Sequence, residues 1–259
     1  MSAGVPTSPL RAISFDAGGT LLEVAEPVGE TYCRLARAAG FDVSPPALQA
    51  GFTRAFAAAP ALAAPARSAA AVLLAFEHAW WRTVVDAALD HALGGTAATD
   101  PGDRDPAARE AFFATAFAHY AEPAAWRLFP EVPGVLAELA QRGFTLAVIS
   151  NFDRRLGPVL AGLGLAGFFR ATVASSEAGA AKPDQGIFQL ARRRLGDPPA
   201  AQLLHVGDSL REDVHGALAA GWRATWLDRG AGSTGSVPPG VARIASLAEL
   251  PDAVQSSVA

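Results

Sequence analysis

An aspartate on a glycine-rich turn is the first group in the chain that could act as a nucleophile. Asp16 follows the apolar run 12–15 and precedes Gly18, Gly19 and Thr20. A carboxylate on so tight a turn could attack phosphorus or carbon and form a covalent aspartyl intermediate. The alternative is an aspartate that only closes a turn or caps a helix, and this motif by itself does not separate the two.

Two polar sites further along the chain could hold an anionic substrate. Ser150 and Asn151 end a second apolar run and supply a hydroxyl and an amide, which suit phosphate or carboxylate oxygens. Lys182, followed by Pro183 and Asp184, could neutralise the charge of both the nucleophile and the substrate. A helix cap at the first site and a solvated loop at the second are the plainer alternatives.

Lys182 also stands out by composition, because it is the only lysine in a chain with twenty arginines. Such a ratio indicates a coding bias that replaces lysine wherever arginine serves equally well. A lysine that remains is a candidate for chemistry that arginine cannot perform, since the two cations differ in geometry and hydration. Chance is the competing explanation.

A third site concentrates carboxylates beside a flexible turn. Gly207, Asp208 and Ser209 follow another apolar run, and Glu212 and Asp213 come shortly after. Hard oxygen ligands of this kind suit Mg²⁺, which binds through one or two carboxylates together with water and substrate oxygens. The alternative is a capped helix whose first turn carries acidic residues.

The elements that must position these residues alternate between strands and helices. Short apolar runs predict strands at 12–15, 145–149, 171–174, 203–206 and 224–227, and helical patterns lie near 132–141, 155–163, 185–195 and 211–220. This alternation predicts a doubly wound α/β domain with a mostly parallel sheet. Ligands collect beyond the carboxyl ends of such strands, where the polar sites fall. We therefore expect the separate sites to meet in one crevice.

Residues 27–121 interrupt this alternation with helices alone. Helical patterns cover 28–39, 46–58, 69–89 and 107–120, and Phe76, Trp80 and Trp81 are interpreted as core residues of a helical bundle. We therefore expect an α/β core formed by residues 1–26 and 122–259, with a helical domain formed by residues 27–121.

Composition limits the class of partner. Hydrophobic residues make up 51% of the 259 residues and charged residues 18%, so a sizeable core can be buried. The formal net charge of −4 gives no long-range attraction to nucleic acid or anionic membranes. One cysteine excludes an internal disulfide, and neither a secretory leader nor a spanning run is found in the sequence. We expect a cytoplasmic protein, monomeric or homodimeric, that acts on a small molecule.

In order and spacing, these sites resemble the four motifs of the haloacid dehalogenase superfamily. The matching residues are Asp16-x-x-Gly19-Thr20, Ser150-Asn151, Lys182-Pro183-Asp184 and Gly207-Asp208-x-x-x-x-Asp213. The helical insert after the first motif resembles the C1 cap of that superfamily, and the α/β core resembles its Rossmann-like core. Residues 27–32 and 150–156 are similar to the branch called haloacid dehalogenase-like hydrolase domain-containing protein 3.

The resemblance implies a role for each matching residue. Asp16 would be the nucleophile, assisted by Lys182. Thr20, Ser150 and Asn151 would bind the transferring group. Asp16, the backbone carbonyl of Gly18 and Asp208 would bind Mg²⁺, with Asp213 in support. The resemblance thus implies a magnesium-dependent hydrolase, phosphatase-like, acting on a small phosphorylated metabolite.

One position departs from the phosphatases of this superfamily. They carry a second aspartate, the acid and base of the reaction, where this chain has Gly18. General acid–base catalysis contributes roughly 10²- to 10⁴-fold in rate. Glu23 and Glu177 are candidates to replace it. Two alternatives stay open: a 2-haloacid dehalogenase-like enzyme, whose halide leaves without a proton, and a catalytically weak member that binds a ligand or partner.

Overall fold

The computed structural model describes residues 9–65, 68–94, 105–230 and 235–255. The expectation that the chain has no secretory leader concerns residues 1–8, which lie outside the described residues. The strands are β1 (Ala12–Phe15), β2 (Leu22–Val24), β3 (Trp126–Leu128), β4 (Thr145–Ser150), β5 (Phe169–Ala174), β6 (Leu203–Gly207), β7 (Arg223–Leu227) and β8 (Ala242–Ile244). The α-helices are α1 (Val28–Ala38), α2 (Pro45–Ala58), α3 (Ala70–Ala92), α4 (Pro106–His119), α5 (Val132–Gln141), α6 (Leu156–Gly162), α7 (Ser175–Ala178), α8 (Gln185–Arg194), α9 (Gly216–Ala219) and α10 (Leu250–Gln255).

Six of the strands form one parallel sheet in the order β5-β4-β1-β6-β7-β8, and β2 pairs with β3. Every residue of β1 and of β6 is buried. Continuous apolar runs suit such strands because helices cover both faces of a parallel sheet. The fold class is therefore the predicted α/β class, with a Rossmann-like sheet.

The four helices predicted around this sheet are present, one of them with an irregular first turn, while α7 and α10 were not predicted. Asp184 caps α8 by accepting a hydrogen bond from the backbone N–H of Gly186, as its place after the proline suggests. After β6, however, the predicted single helix begins as a π-helical turn, Leu210–His215, before α9. In this turn the backbone N–H of Ser209 donates to Asp213 Oδ2 at 2.9 Å, a bond that helical periodicity cannot reveal.

The chain divides into two compact units. The first contains Met1–Glu23, Ala63–Arg67 and Leu128–Ala259, and the second contains Val24–Leu62 and Ser68–Arg127. The parallel sheet belongs to the first unit, and helices α1 to α4 belong to the second. A short segment of the predicted helical insert, residues 63–67, thus groups with the α/β unit.

Aromatic rings fill the core of the helical unit. Tyr32 is nearly inaccessible and contacts Phe52 and Phe112 edge-on, with ring centroids 5.7 and 5.6 Å away. The expectation for the third helix is confirmed only in part: Trp81 packs against this core, but Phe76, Trp80 and Trp81 are all only partly buried. The buried face of α3 consists of Glu77, Val84, Val85, Ala88 and Leu89. Tryptophan at helical spacing does not reveal which face of a helix is turned inward.

Among the described residues, none of the helices has the length and apolar character needed to span a membrane.

Candidate active site

The nucleophile candidate and the metal candidate lie at the carboxyl ends of neighbouring strands. Asp16 follows β1, and Asp208 follows β6. The two strands pair in register from Ala12 with Leu203 to Phe15 with Val206. On the other side β1 pairs with β4, which ends at Ser150. Parallel pairing therefore carries these three motifs to one edge of the sheet.

Lys182 connects the carboxylates at this edge. Its Nζ lies 2.7 Å from Asp16 Oδ1 and 2.5 Å from Asp213 Oδ1, and the side chain is buried. Burial alone would lower the pKa of Lys182, but the negative charges of Asp16 and Asp213 outweigh it and raise the pKa above its usual value. The lysine is therefore a permanent cation.

Asp16, Asp208 and Asp213 form an acidic cluster in which the oxygens that could bind a metal all lie within 4.8 Å of one another. Asp208 is accessible to solvent, but the protein around it partly desolvates its carboxylate, and together with the negative charges of Asp16 and Asp213 this raises the pKa of Asp208 to about 7. This donor set fits Mg²⁺, a hard cation that prefers carboxylate oxygens.

The three carboxylates are not equally free to bind a cation. Asp213 is almost wholly buried, and both of its oxygens are engaged: Oδ1 with Lys182 and His205, and Oδ2 with the backbone N–H of Ser209. The charge of Lys182 and the hydrogen bond from His205 lower the pKa of Asp213 in spite of its burial. Asp208, in contrast, is exposed. Asp16 and Asp208 are thus better placed than Asp213 to take a cation, and Asp213 contacts Lys182.

Two glycines permit this close approach of carboxylates. Gly19 has φ +76°, and a Cβ built on it would lie 2.4 Å from Asp208 Oδ2. A Cβ built on Gly207 would lie 2.2 Å from Asp213 Cγ. Any side chain at either position would displace a carboxylate, so steric crowding explains why both positions are glycine.

Gly18, the position of the missing acid, is open. It is exposed, and a Cβ built on it meets no atom within 4 Å. Gly18 is not among the described glycines with positive φ. Neither strain nor crowding therefore excludes an aspartate at this position.

The residues expected to bind the transferring group differ in their surroundings. Ser150 is buried at the end of β4. Asn151 holds the lysine loop: its Oδ1 accepts from the backbone N–H of Lys182 at 2.7 Å, and its Nδ2 donates to the carbonyl of Lys182 at 2.9 Å. Thr20 is fully buried, and its Oγ1 has no hydrogen-bond partner within the described part of the chain. The geometry gives Asn151 a role in positioning Lys182.

Of the acidic groups considered as replacement acids, Glu23 lies in β2 and Glu177 is exposed in α7. Glu212 is a further acidic group, and it accepts a hydrogen bond from Asn151 Nδ2 at 2.9 Å. Burial, opposed by the charge of Lys182, raises the pKa of Glu212 above its usual value. The sequence showed Glu212 beside Asp213 but did not indicate this contact.

Arg229 is a site residue that motif reasoning missed. Its guanidinium donates to the carbonyls of Gly19 at 3.2 Å and Thr20 at 3.0 Å, and forms an ion pair with Glu131 at 2.7 Å. The guanidinium also lies 3.6 Å from the centroid of the Phe129 ring. Arg229 thus fixes the loop that follows Asp16. Its place two residues after β7, at the carboxyl edge of the sheet, was the signal available in the sequence.

Comparisons with known proteins agree with these motifs. A model of the haloacid dehalogenase-like hydrolases matches residues 10–221. Haloacid dehalogenase-like hydrolase domain-containing protein 3 of Danio rerio is 32% identical over 249 residues, which is 95% of this chain and 97% of that protein. A phosphoserine phosphatase of Thermus thermophilus is 40% identical over 114 residues, 44% of this chain and 45% of that protein.

A solved structure has a similar fold. The crystal structure of a 2-haloacid dehalogenase from Pseudomonas syringae has a TM-score of 0.63 and 27% sequence identity, covering 96% of this chain and 100% of that one. The predicted family is thus confirmed by a family match over most of the chain and by a relative of nearly equal length. This chain belongs to the haloacid dehalogenase-like hydrolases and is a phosphatase-like enzyme of that family.

Proposed function

We propose that the chain is a Mg²⁺-dependent phosphohydrolase that uses Asp16 to attack a small phosphorylated metabolite. The observation that carries this proposal is the buried ammonium of Lys182 between Asp16 and Asp213, beside the exposed carboxylate of Asp208. Three carboxylates cluster here, and Lys182 pairs with two of them, so the site has surplus negative charge. A divalent cation would compensate that charge and make the site able to accept a phosphate dianion.

Asp16 and Lys182 would carry the covalent step. An oxygen of Asp16 attacks the phosphorus of the substrate, and the bond from phosphorus to the leaving oxygen breaks. Lys182, whose Nζ lies 2.7 Å from Asp16 Oδ1, would hold that carboxylate in place and attract the anionic substrate. Water then attacks the phosphorus of the aspartyl-phosphate, which regenerates Asp16 and releases inorganic phosphate.

Asp16, Asp208 and the backbone carbonyl of Gly18 would hold the metal. Mg²⁺ at this position would polarise the phosphoryl oxygens and neutralise the charge that develops on them. Asp213 acts through Lys182, because both of its oxygens are already engaged by protein donors.

The leaving group would meet no acidic side chain at Gly18, which is exposed and has no atoms around its Cβ position. Substrates whose leaving group needs little protonation are therefore favoured, unless another acid serves the site. Glu212 joins Glu23 and Glu177 as a candidate, on the basis of its raised pKa and its contact with Asn151.

The test is turnover against a panel of alkyl and aryl phosphate esters and acyl phosphates, with Mg²⁺ and with a chelator. Metal-dependent release of inorganic phosphate is expected, and Asp16→Asn serves as the inactive control. Tight binding of a phosphorylated ligand without turnover would instead indicate a member of the family that only binds.

Dehalogenation is the second candidate, favoured by Gly18 and by the 27% identity to a 2-haloacid dehalogenase. A halide leaves without a proton, so the missing acid would cost nothing in that reaction. Release of halide from 2-haloacids in the presence of a chelator, without release of phosphate from any ester, would support it. The exposed carboxylate of Asp208 favours the phosphohydrolase, since a metal-free dehalogenase has no use for it.

A further inference from the structure

A buried chain of polar groups continues from the active site into the sheet. Ser14 of β1 and His205 of β6 are register partners, and Ser14 Oγ lies 2.8 Å from His205 Nδ1. On the other side of the ring, His205 Nε2 lies 3.0 Å from Asp213 Oδ1. All three residues are almost wholly buried. Burying so many polar groups in a sheet is costly unless each of them is hydrogen-bonded.

The available protons fix the direction of these hydrogen bonds. The ionised carboxylate of Asp213 only accepts, so His205 Nε2 carries the hydrogen that is donated to it. In a neutral imidazole Nδ1 then accepts, and the Ser14 hydroxyl donates to it. The carbonyl of Leu204, at 3.3 Å from Ser14 Oγ, is the more distant acceptor. Ser14 thereby holds His205 in the tautomer that donates to Asp213.

Asp213 connects His205 to Lys182 and, through Lys182, to Asp16. Its Oδ1 is shared between His205 Nε2 and Lys182 Nζ, and the same ammonium lies 2.7 Å from Asp16 Oδ1. The backbone N–H of Ser209 fixes the other oxygen. Without the donor on His205, one of the contacts that hold Asp213 is lost, and the carboxylate can turn away from Lys182.

We propose that His205 is a positioning residue, whose neutral imidazole holds Asp213 so that Lys182 faces Asp16. This inference deepens the proposed function and rests on Asp16 being the nucleophile. His205 touches neither metal nor substrate in this scheme. Outer groups that orient reacting residues typically change activity by roughly 10- to 100-fold.

The single lysine of the chain provides a direct probe. Protein labelled with ¹⁵N-lysine gives one side-chain ammonium signal, that of Lys182, which reports on its ion pairs without any turnover. In His205→Leu the ammonium signal is expected to shift or to exchange faster with water. On an aryl phosphate, kcat is expected to fall by about 10-fold or more, with KM within about 2-fold. His205→Gln, which retains an N–H donor, should restore part of both.

Phe188→Leu is the matched packing control. The Phe188 ring meets the His205 ring edge-on, with centroids 5.3 Å apart, but a phenylalanine side chain cannot hydrogen-bond to Asp213. The Phe188→Leu variant should have a lower melting temperature than the wild type, with the lysine signal and kcat near the wild-type values. A folded His205→Leu protein with an unchanged lysine signal and unchanged kcat would overturn the proposal.

The test also has a result when His205→Leu does not fold and when the wild-type protein has no phosphatase activity. If His205→Leu does not fold, His205→Gln and Ser14→Ala take its place: smaller shifts of the lysine signal in the same direction support the proposal, and unchanged signals overturn it. If the wild-type protein turns over no phosphate ester, the proposed function fails. The lysine spectrum still decides whether His205 positions Lys182.

Discussion

At the scale of single residues, the site is defined by which charges are fixed and which are free. Lys182 is buried with Asp16 and Asp213, and its raised pKa means that it stays charged throughout the ordinary pH range. Asp208 is exposed and has a pKa near 7, so its charge can change. Gly18 contributes no charge at all. In the proposed mechanism Lys182 is therefore a fixed positive charge beside the nucleophile Asp16, while protonation of the leaving group is left to other groups.

Asp16→Asn should abolish turnover while the protein still folds. An amide is a far poorer nucleophile than a carboxylate, and loss of a covalent nucleophile typically costs roughly 10³-fold or more. Steady-state kinetics on the best substrate of the phosphate panel measures the effect, with circular dichroism as the folding control. Wild-type activity in purified Asp16→Asn would contradict a covalent mechanism.

Gly18→Asp should raise the turnover of alkyl phosphates by at least ~10-fold. This minimum lies below the usual contribution of general acid–base catalysis, because the new side chain is not supported by its neighbours. The backbone permits the change, because Gly18 does not have positive φ and its Cβ position is empty. Aryl esters should gain less in formation of the aspartyl-phosphate, since their leaving groups need less protonation.

The matched comparison for this variant is Gly18→Asn, which has the same shape but no acid to donate. A gain shared by both variants would indicate binding and not proton transfer. No gain in a folded Gly18→Asp protein that still binds Mg²⁺ would mean that another group already serves as the acid, or that the natural substrate is not a phosphate monoester.

At the scale of elements, the parallel pairing of β1 with β4 and β6 brings to Asp16 motifs that lie more than a hundred residues further along the chain. The turn after β6 adds the irregular part of the site. It contains the π-helical segment Leu210–His215, in which Asp213 turns back toward Gly207 and the sheet. The strands thus place the backbone, and the close packing of a carboxylate against a glycine places Asp213.

Gly207→Ala should destabilise this element and disturb the site. The added methyl would lie 2.2 Å from Asp213 Cγ, so the carboxylate must move away from Lys182. Such overpacking typically costs roughly 1–3 kcal/mol of unfolding free energy, and a protein of this size loses about 2–4 °C in Tm per kcal/mol. Gly134→Ala in α5 is the control, because its Cβ position is empty and alanine is the better helix former. An equal Tm for Gly207→Ala and wild type in thermal melts would refute this steric reading.

At the scale of the whole molecule, folding concentrates negative charge at one edge of the sheet, although the formal net charge is only −4. Asp16, Asp208 and Asp213 meet within 4.8 Å, and Lys182 is the cation paired with two of them. The raised pKa of Asp208 is a direct consequence of that concentration together with burial. Without a metal, repulsion between these carboxylates lowers the free energy of unfolding.

The stability of the metal-free protein should therefore fall as pH rises from about 4 to about 7. Asp208 has a pKa of about 7 when folded, against an ordinary value of 3.8, so the folded state holds the extra proton across this window and loses it as pH rises through the folded pKa. At pH 8, Mg²⁺ should raise Tm, because it binds the ionised carboxylate of the folded state. At pH 5.5 the same concentration should raise Tm less.

Thermal melts at the two pH values, with Mg²⁺ and with a chelator, measure this linkage. Asp208→Asn is the control, since it has no proton to exchange at this position and lacks one metal ligand. A Mg²⁺ stabilisation that is equal at pH 5.5 and 8, or that persists in Asp208→Asn, would exclude Asp208 from the metal site.

The sequence by itself determined the elements and the motifs. Apolar runs identified β1, β4, β5, β6 and β7, because buried parallel strands need continuous apolar residues. Turn residues after those runs identified Asp16, Ser150, Asn151 and Asp208 as a group, because ligands bind beyond the carboxyl ends of parallel strands. Lys182 was singled out as the one lysine of the chain. Local composition is sufficient for such inferences, since strand ends and turns are marked by neighbouring residues.

Only the tertiary structure decided what each side chain contacts. Asn151, expected to bind the transferring group, hydrogen-bonds to the backbone of Lys182. Arg229, two residues after β7, and His205, within β6, contact site residues although neither belongs to a motif. The π-helical turn and the openness around Gly18 were equally hidden. These features depend on packing between residues far apart in the chain. Hydrophobic periodicity predicts local secondary structure and does not indicate which distant residues are in contact.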